Sequence, residues 1–295
     1  MTSLATTTVP TSAPTSATAS ATASATAPAA HLSAVVFDWA GTILDFGSCA
    51  PMGAFVRLFE QFDIVITTAE ARGPMGMAKW DHIQALGQLP GISAQWHKRY
   101  GKAFVDADVD HLYEVFTPMN AAVVADFAAF IPGAVDMVNT LRARGLKIGS
   151  TTGYNRPIMD VVTPIAAAGG YLPDNLVCAG DLAAGRPSPL MMYRTFADLG
   201  VWPPSSVVKV DDTGVGIEEG LHAGSWTVGL AISGNAVGLP LAEWLALDAG
   251  RQHALRQAAT VKLKASGAHY VIDSVADLLP VLDDIEASLK QGIAP

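Results

Sequence analysis

Six short apolar runs recur along the chain after residue 31, and turn-forming residues bound each of them. Their lengths and β-branched content are typical of buried strands in a parallel sheet. The six predicted strands are 34–38, 146–151, 176–178, 207–211, 226–231 and 270–272. Amphipathic stretches, such as 133–144 and 214–223, separate most of them. This alternation predicts an α/β fold with a doubly wound parallel sheet, whose ligands bind at the carboxyl ends of the strands.

The interval from about residue 50 to residue 130 breaks this alternation, because it contains several helical runs and no convincing strand. Four of its apolar residues recur at three- and four-residue steps, the stripe of a packed helix. They are Met52, Phe55, Phe59 and Phe62. We therefore predict an all-helical cap domain at 50–130, inserted into a Rossmann-like core domain made of residues 32–49 and 131–295.

The first thirty residues differ in composition from the rest of the chain, with ten Ala, nine Thr, five Ser and three Pro. No Asp, Glu, Lys or Arg occurs before Asp38. Such a tract has little to bury, so residues 1–31 are predicted to form a disordered tail. The tract lacks the arginines of a mitochondrial transit peptide and the basic start of a secretory signal.

Charge and cysteine content indicate which partners and which cellular compartment to expect. A net charge of −9 without a basic cluster argues against nucleic acid. Polar residues interrupt every long apolar stretch, so no membrane association is expected. Cys49 and Cys178 lie far apart without metal-type spacing, which makes a reducing, cytoplasmic setting the expectation. We expect a small-molecule substrate and a homodimer, with the helical stretch 241–264 as one candidate oligomer surface.

Reactive polar residues stand at the carboxyl ends of three predicted strands. Asp38 ends the first strand within VVFDWAGT, Thr151–Thr152 end the second, and Asp211–Asp212 end the fourth. Because these strand ends meet at one edge of a parallel sheet, the residues are expected to share a site.

This ordered set, with a DxxGT sequence at Asp38 and a basic residue at Arg186, resembles the haloacid dehalogenase superfamily. The resemblance covers the whole chain after the tail. Hydrolases of that superfamily attack phosphorus with the Asp and bind Mg²⁺. The resemblance therefore implies Mg²⁺ as cofactor. Its implied ligands are the Asp38 carboxylate, the Ala40 backbone carbonyl and Asp212.

A second sequence, PMGMAKWDHI at 74–83, narrows the resemblance to the phosphonoacetaldehyde hydrolase family, the phosphonatase branch of the superfamily. GY at 153–154 and GRP at 185–187 also match that family. Its cap lysine forms a Schiff base with the substrate aldehyde, which implies this role for Lys79. The implied reaction splits phosphonoacetaldehyde into acetaldehyde and phosphate, with Asp38 taking the phosphoryl group.

Lys79 must be neutral to attack an aldehyde, so its pKa has to be lowered by burial or nearby positive charge. His82 follows three residues later, on the same face of a helix. It is a candidate proton shuttle, since its ordinary pKa lies near neutrality. A purely structural hydrogen bond is the alternative role for His82.

The phosphonate group needs donors, and Arg186 and Thr152 are the candidates. The planar fork of Arg186 can bind two oxygens at once. Thr152 can donate through its hydroxyl and backbone N–H, although it can equally cap the helix that follows. Gly153, Tyr154 and Met75 are predicted to contact the substrate, with core packing as the alternative for Met75.

Ala40 stands where many enzymes that form an aspartyl-phosphate carry a second Asp. In a phosphate ester that acid protonates the departing alkoxide. In a phosphonate the leaving atom is carbon, and a protonated imine on Lys79 accepts the electrons instead. Ala40 therefore favours C–P hydrolysis over the main alternative, a Mg²⁺-dependent phosphomonoesterase. A dehalogenase or a catalytically inactive binding protein fits the residues less well.

The sequence departs from the family pattern GDxxxD at two positions. Here Asp211 replaces the glycine and Gly216 replaces the second acid. Asp211 is predicted as the additional metal ligand, and Glu218 is the open alternative. Lys209, inside the apolar run VVKV, is interpreted as structural and is not nominated for the site.

Overall fold

The computed structural model of the protein describes residues 31–295. The predicted tail therefore lies outside the described residues, apart from His31. The backbone N–H of His31 donates a hydrogen bond to Glu286 Oε1 at 2.9 Å. This bond fixes the chain to a C-terminal helix three residues before the first strand begins.

Six parallel strands form one sheet in the order β3-β2-β1-β4-β5-β6. They are β1 Ala34–Phe37, β2 Lys147–Thr152, β3 Val177–Cys178, β4 Val207–Asp211, β5 Trp226–Leu230 and β6 Tyr270–Ile272. Phe37 of β1 pairs with Ser150 on one side and with Val210 on the other. The sheet thus winds outward from β1 in both directions, and the carboxyl ends of β1, β2 and β4 surround its switch point. The predicted doubly wound α/β fold is confirmed, with each strand end within one residue of its predicted place.

Five α-helices lie between residues 50 and 124, in the interval predicted to be the cap. They are α1 Ala50–Gln61, α2 Thr68–Arg72, α3 Lys79–Gly87, α4 Pro90–Tyr100 and α5 Asp106–Val124. They bury a hydrophobic cluster of their own that contains no strand residue, with Phe55, Phe59 and Phe116 fully buried in it. Because this layer has a separate core, we propose that residues 50–130 form a cap domain over the core domain.

Seven further α-helices follow. They are α6 Ala134–Ala143, α7 Arg156–Ala168, α8 Leu190–Leu199, α9 Gly214–His222, α10 Leu241–Ala246, α11 Ala249–Ala265 and α12 Leu278–Lys290. All of them except the short α10 pack against the sheet or its hydrophobic clusters. Val35 and Phe37 of β1 enter one hydrophobic cluster, whereas Ala34 and Val36 enter another. Burial on both faces explains why β1 reads as a continuous apolar run. No helix among residues 31–295 has the length and apolar character needed to span a bilayer.

The linker from β1 to the cap, residues 45–49, has an unusual backbone. Asp45 and Ser48 have positive φ values of 57° and 51°. The Asp45 carboxylate accepts hydrogen bonds at 2.9 Å from the backbone N–H groups of Cys49 and Ala50. Asp45 therefore satisfies free donors at the start of α1 and fixes the direction in which the chain enters the cap.

Candidate active site

A cavity with an empty volume of about 280 Å³ lies between the cap and the carboxyl ends of β1, β2 and β4. The cap contributes the predicted site residues Met75 and Lys79 to its wall. The core contributes the predicted residues Asp38, Ala40, Thr152, Gly153, Tyr154, Arg186 and Asp212. Two predicted residues, His82 and Asp211, do not line this cavity. The structure thus brings most of the predicted site together across the two layers.

Asp38 follows β1 directly and is only 6% exposed. Its Oδ1 accepts a hydrogen bond of 2.8 Å from Arg186 Nη1. Burial, and then the nearby carboxylate of Asp211, raise the pKa of Asp38 to about 6 against the opposing charges of Arg186 and Lys209. A buried carboxylate held by one guanidinium N–H has a fixed orientation, which a nucleophile requires.

Arg186 is buried, and protein acceptors engage each of its three guanidinium nitrogens. Besides the bond to Asp38, Nε donates to Glu219 Oε2 at 2.9 Å and Nη2 donates to the Thr151 carbonyl at 2.7 Å. Burial acts to lower the pKa of Arg186, but the carboxylates of Asp211, Glu219 and Asp38 outweigh this and raise it. Arg186 is therefore a permanent cation aimed at the nucleophile, and its predicted two-pronged hold on the phosphonate would require it to exchange protein partners.

Three further residues complete this network: Thr151, which the sequence placed at a strand end, and Lys209 and Glu219, which it did not assign to the site. Each is fully buried. Lys209 Nζ donates to Thr151 Oγ1 at 2.7 Å and lies 3.2 Å from Glu219 Oε2. Burying a charged lysine inside a strand costs free energy unless carboxylates pair with it. Lys209 within the apolar run VVKV therefore indicated that buried acidic partners must lie nearby. The sequence does not identify Glu219 as the partner of Lys209; its neighbour Glu218, the alternative acid for the metal site, is only half-buried.

The carboxylates of Asp38, Asp211 and Asp212 can each place an oxygen within 4.8 Å of the others. Asp212 Oδ2 accepts a hydrogen bond of 2.7 Å from the Asn235 backbone N–H, but its Oδ1 is buried without a hydrogen-bond donor among the described residues. Burial, and then the charges of Asp38 and Asp211, raise the pKa of Asp212 well above its ordinary value. Arg186 and Lys209 pair with Asp38 and Asp211, whereas Asp212 has no ion-pair partner among the described residues and keeps a free buried oxygen. Three clustered carboxylates with such a free oxygen fit Mg²⁺, which prefers oxygen ligands.

The positions of Asp211 and Gly216 explain the departure from GDxxxD. A Cβ atom added to Gly216 would lie 2.0 Å from Asp211 Cγ. The Asp211 carboxylate therefore fills the space that a side chain at 216 would need. Thr213 holds it there through a backbone N–H bond of 3.0 Å and a hydroxyl bond of 2.7 Å to Oδ1. An acid at 211 and a side chain at 216 exclude each other.

We expect Gly216→Ala to lower the free energy of unfolding by about 1–3 kcal/mol, because the new methyl group must displace the Asp211 carboxylate. Chemical denaturation measures this change. Gly91→Ala is the matched control, since Gly91 is also helical and an added Cβ there meets nothing within 4 Å. Adding Gly216→Ala to Asp211→Gly should cost little more than Asp211→Gly alone. Strictly additive effects would contradict the shared-space explanation.

Lys79 begins α3 and reaches into the cavity, with 3% of its surface exposed. Its Nζ lies 5.1 Å from the ring centroid of Tyr154 and 5.8 Å from that of Phe55. Burial lowers the pKa of Lys79 to about 8, although Asp38 opposes the shift. About a tenth of the amine is therefore unprotonated at pH 7, compared with less than about a thousandth for an ordinary lysine.

The cap lies very close to the core at two glycines, Gly76 and Gly153. Gly76 has a φ of +92°, and a Cβ there would lie 2.3 Å from Thr213 Oγ1, beside Asp212. A Cβ on Gly153 would lie 2.7 Å from the Met77 carbonyl. The loop that leads to Lys79 thus contacts the core closely at two positions, where a side chain on Gly76 or on Gly153 would have no room.

His82 lies one helical turn after Lys79 and is fully buried within the cap. Its Nε2 is 2.8 Å from the Ala71 carbonyl, and its ring stacks on Phe55 with centroids 3.9 Å apart. Burial, and then the charge of Lys79, lower the pKa of His82 well below its ordinary value. A neutral imidazole bonded to a carbonyl fits the structural alternative for His82, and its role as proton shuttle stays a prediction.

Thr152 and Met75 are two further residues that were predicted to contact the substrate. Thr152 Oγ1 accepts the Tyr154 backbone N–H at 3.1 Å. The cap of the following helix is Asn155, whose Oδ1 accepts the Ile158 N–H at 3.3 Å, so the alternative capping role of Thr152 is wrong. Met75 lines the cavity and also belongs to the hydrophobic cluster of the cap. It therefore has both of the environments considered for it, the cavity wall and core packing.

Comparisons with known proteins agree with this geometry. Residues 32–224 match the family model described as haloacid dehalogenase-like hydrolase. The chain is 55% identical over 265 residues to a phosphonoacetaldehyde hydrolase of Paraburkholderia phytofirmans, covering 90% of this chain and 99% of that protein. It is 50% identical to a phosphonoacetaldehyde hydrolase of Klebsiella pneumoniae, covering 90% and 99% of the two chains. A crystal structure of a phosphonoacetaldehyde hydrolase-like protein from Oleispira antarctica superposes with a TM-score of 0.89 at 43% identity, covering 91% and 98%.

The chain therefore belongs to the haloacid dehalogenase-like hydrolases and, within them, to the phosphonoacetaldehyde hydrolase family. It is an enzyme of the hydrolase class. Both resemblances drawn from the DxxGT and PMGMAKWDHI sequences are confirmed.

Proposed function

We propose that this protein hydrolyses the carbon–phosphorus bond of phosphonoacetaldehyde and releases acetaldehyde and phosphate. The observation that carries the proposal is Lys79, a buried amine on the cap that lines the same cavity as Asp38 and whose pKa is lowered to about 8. A lysine with this environment suits attack on an aldehyde, and a carboxylate opposite it suits attack on phosphorus.

The first half of the proposed reaction prepares the leaving group. The neutral amine of Lys79 adds to the aldehyde carbon, and the resulting carbinolamine takes up a proton from solvent and loses water to leave a protonated imine. An Asp38 oxygen then attacks phosphorus, and the carbon–phosphorus bond breaks. Its electron pair becomes the carbon–carbon double bond of an enamine, while the imine nitrogen takes up the C=N electrons. No free carbanion forms, which is what makes carbon an acceptable leaving atom.

The second half restores both residues. Protonation of the enamine carbon regenerates an imine, and water hydrolyses it to acetaldehyde and free Lys79. A second water attacks the phosphorus of the aspartyl-phosphate, which frees phosphate and returns Asp38 to its carboxylate. Arg186 stays bonded to the Asp38 side, where its fixed positive charge stabilises the transferring group.

We propose that Asp38, Asp212 and the Ala40 carbonyl hold Mg²⁺, with Asp211 as the additional acid. The unpaired Oδ1 of Asp212 and the mutual proximity of the three carboxylates support this assignment. When bound, Mg²⁺ supplies positive charge that screens the approach of one anion to another and polarises the phosphonyl oxygens. Thr152 and Gly153, at the end of β2, are proposed to donate hydrogen bonds to the same oxygens.

The alternative function, phosphomonoester hydrolysis, needs an acid for the departing alkoxide. Ala40 lines the cavity at the position expected for that acid. Within residues 31–295, the acidic side chains in the cavity wall are Asp38 and Asp212, and both are assigned to the nucleophile and the metal. The cavity thus offers a cap amine in place of a proton donor.

Phosphate release from phosphonoacetaldehyde and from ethyl phosphate tests the choice between these functions. We expect kcat/KM for ethyl phosphate to be lower by at least about 10²–10⁴-fold, the usual contribution of a general acid, and EDTA to abolish both activities. Borohydride added during turnover of phosphonoacetaldehyde should attach a two-carbon unit to Lys79, detectable by peptide mass spectrometry. Comparable turnover of both substrates with no adduct at Lys79 would establish the phosphomonoesterase instead.

Assembly and location complete the proposal. We propose a homodimer acting in the cytoplasm. Light scattering coupled to size-exclusion chromatography measures the first property, and a monomer at micromolar concentration would contradict it.

A further inference from the structure

Arg72, the last residue of α2, extends from the cap into the core. Its Nη1 donates to the Gly47 carbonyl at 2.9 Å and to Asn235 Oδ1 at 3.0 Å. Its Nη2 donates to the Gly238 carbonyl at 2.8 Å. Gly47 belongs to the linker, whereas Asn235 and Gly238 belong to the loop after β5. One cap side chain therefore ties together three separate parts of the chain.

Asn235 continues these contacts toward the cavity. Its Nδ2 donates back to the Arg72 carbonyl at 3.3 Å, so the two residues exchange hydrogen bonds in both directions. Its backbone N–H donates to Asp212 Oδ2 at 2.7 Å. Asn235 is 5% exposed, so these bonds are made out of water. A single buried residue thus contacts the cap on one side and a predicted metal ligand on the other.

Arg72 also lies close to Lys79 along the chain. Only six residues, 73–78, separate Arg72 from Lys79. That segment contributes Met75 and Gly76 to the cavity wall. Fixing Arg72 to the core therefore fixes the start of the segment that delivers the amine, while the close contact of Gly76 with Thr213 fixes its middle.

An arginine suits this place for geometric reasons. The oxygens that accept its hydrogen bonds are backbone carbonyls and a side-chain amide, so the contact is a set of directed bonds rather than an ion pair. A planar guanidinium can point donors at several separated acceptors at once, which a lysine ammonium on a flexible stem does not match.

We propose that Arg72 and Asn235 form a cap latch: they position Lys79 by holding the cap against the core, and they couple this closure to the orientation of Asp212. Neither residue contacts the reacting atoms, so both act as positioning residues. Because coupling between two sites is reciprocal, an ion held by Asp212 favours the latched cap, and the latched cap favours ion binding. The roles of Lys79 and Asp212 in this statement rest on the proposed function, whereas the latch itself rests on the contacts.

Labelling of Lys79 tests closure without any need for turnover. Trinitrobenzenesulfonate reacts with accessible amines, and peptide mass spectrometry reads the modification at Lys79. The latched cap leaves Lys79 3% exposed, so slow labelling is expected in the unmodified enzyme. Arg72→Met should speed labelling of Lys79 by about tenfold, as expected for the loss of one or two net hydrogen bonds. Arg99→Met is the matched control, because Arg99 is also a cap arginine but pairs with Asp63 on the exposed surface.

Calorimetric titration with MgCl₂ tests the coupling to Asp212. Arg72→Met should weaken Mg²⁺ binding several-fold, and Asn235→Ala should do the same if Arg72→Met fails to fold. Circular dichroism verifies folding of each variant. Unchanged labelling of Lys79 in a folded latch variant would overturn the proposal, even if its thermal stability fell. Faster labelling with unchanged Mg²⁺ affinity would overturn the coupling. Neither readout depends on phosphonoacetaldehyde being the substrate, so failure of the proposed function would be seen separately.

Discussion

Asp38→Asn is expected to reduce phosphate release from phosphonoacetaldehyde by at least about 10⁴-fold, in line with the loss of other catalytic nucleophiles. The amide cannot attack phosphorus as a carboxylate does, yet its oxygen can still accept the hydrogen bond that Arg186 Nη1 donates to Oδ1 at 2.8 Å. The surrounding network should therefore persist, and the loss should appear in kcat. Steady-state kinetics with a phosphate assay measures it.

The same variant separates the two proposed covalent steps. Imine formation depends on Lys79, so borohydride trapping of the aldehyde at Lys79 should continue in Asp38→Asn. Asp63→Asn is the matched control, since Asp63 is an exposed cap residue paired with Arg99 and should leave both readouts unchanged. Retained turnover in Asp38→Asn would remove Asp38 from the role of nucleophile, and lost trapping would mean that its charge is needed for the imine.

The parts of the fold that sequence predicted are those specified by local pattern. The strand β1 is a continuous apolar run because a parallel strand between two helical layers is buried on both faces, as Val35 and Val36 illustrate. The cap was recognisable because its helices carry apolar stripes and because strand patterns are missing from residues 50–130. Strand-end residues such as Asp38 and Asp212 were found for the same reason, since the carboxyl ends of parallel strands meet at one edge.

The parts that sequence missed are long-range pairings of side chains. Lys209 meets Thr151 across 58 positions, and Thr151 meets Glu219 across 68. Nothing local distinguishes buried Glu219 from half-buried Glu218; the direction in which each faces on α9 decides. Arg72 belongs to no motif and its acceptors are mainly backbone carbonyls, which carry no sequence signal. The sequence therefore named most of the residues that line the cavity and missed the residues that hold them in place.

These supporting residues also change the role that we assign to Arg186. From its sequence alone, the guanidinium was expected to bind the phosphonate with two donors. In the structure Glu219 and Thr151 hold two of its nitrogens, and the third is directed at Asp38. A cation fixed in this way needs no reorganisation as charge develops on the transferring group, which is the condition for effective electrostatic stabilisation.

Lys79→Met is expected to abolish hydrolysis of phosphonoacetaldehyde, with a loss of at least about 10⁴-fold, and at the same time to stabilise the fold. The activity falls because Lys79 is the one lysine among the described residues of the cavity wall, and its amine converts the aldehyde into an electron acceptor. The stability rises because folding buries an amine that is charged in the unfolded chain. The fall in its pKa from 10.5 to about 8 corresponds to about 3 kcal/mol, an upper figure for the gain at pH 7.

The dependence of this gain on pH has a definite sign. Below pH 8 Lys79 is protonated in both states, so the full penalty for burying the charge is present. Between pH 8 and 10.5 the unfolded chain holds more protons than the folded enzyme, and the stability of the unmodified protein rises with pH. The advantage of Lys79→Met should therefore shrink over this window and vanish above it. Urea denaturation at pH 7, 9 and about 10.5 measures the trend, with the exposed cap residue Lys98 changed to Met as control. A variant less stable than the unmodified enzyme at pH 7 would mean that Lys79 is held by compensating charges, and its amine would then be too basic to attack an aldehyde.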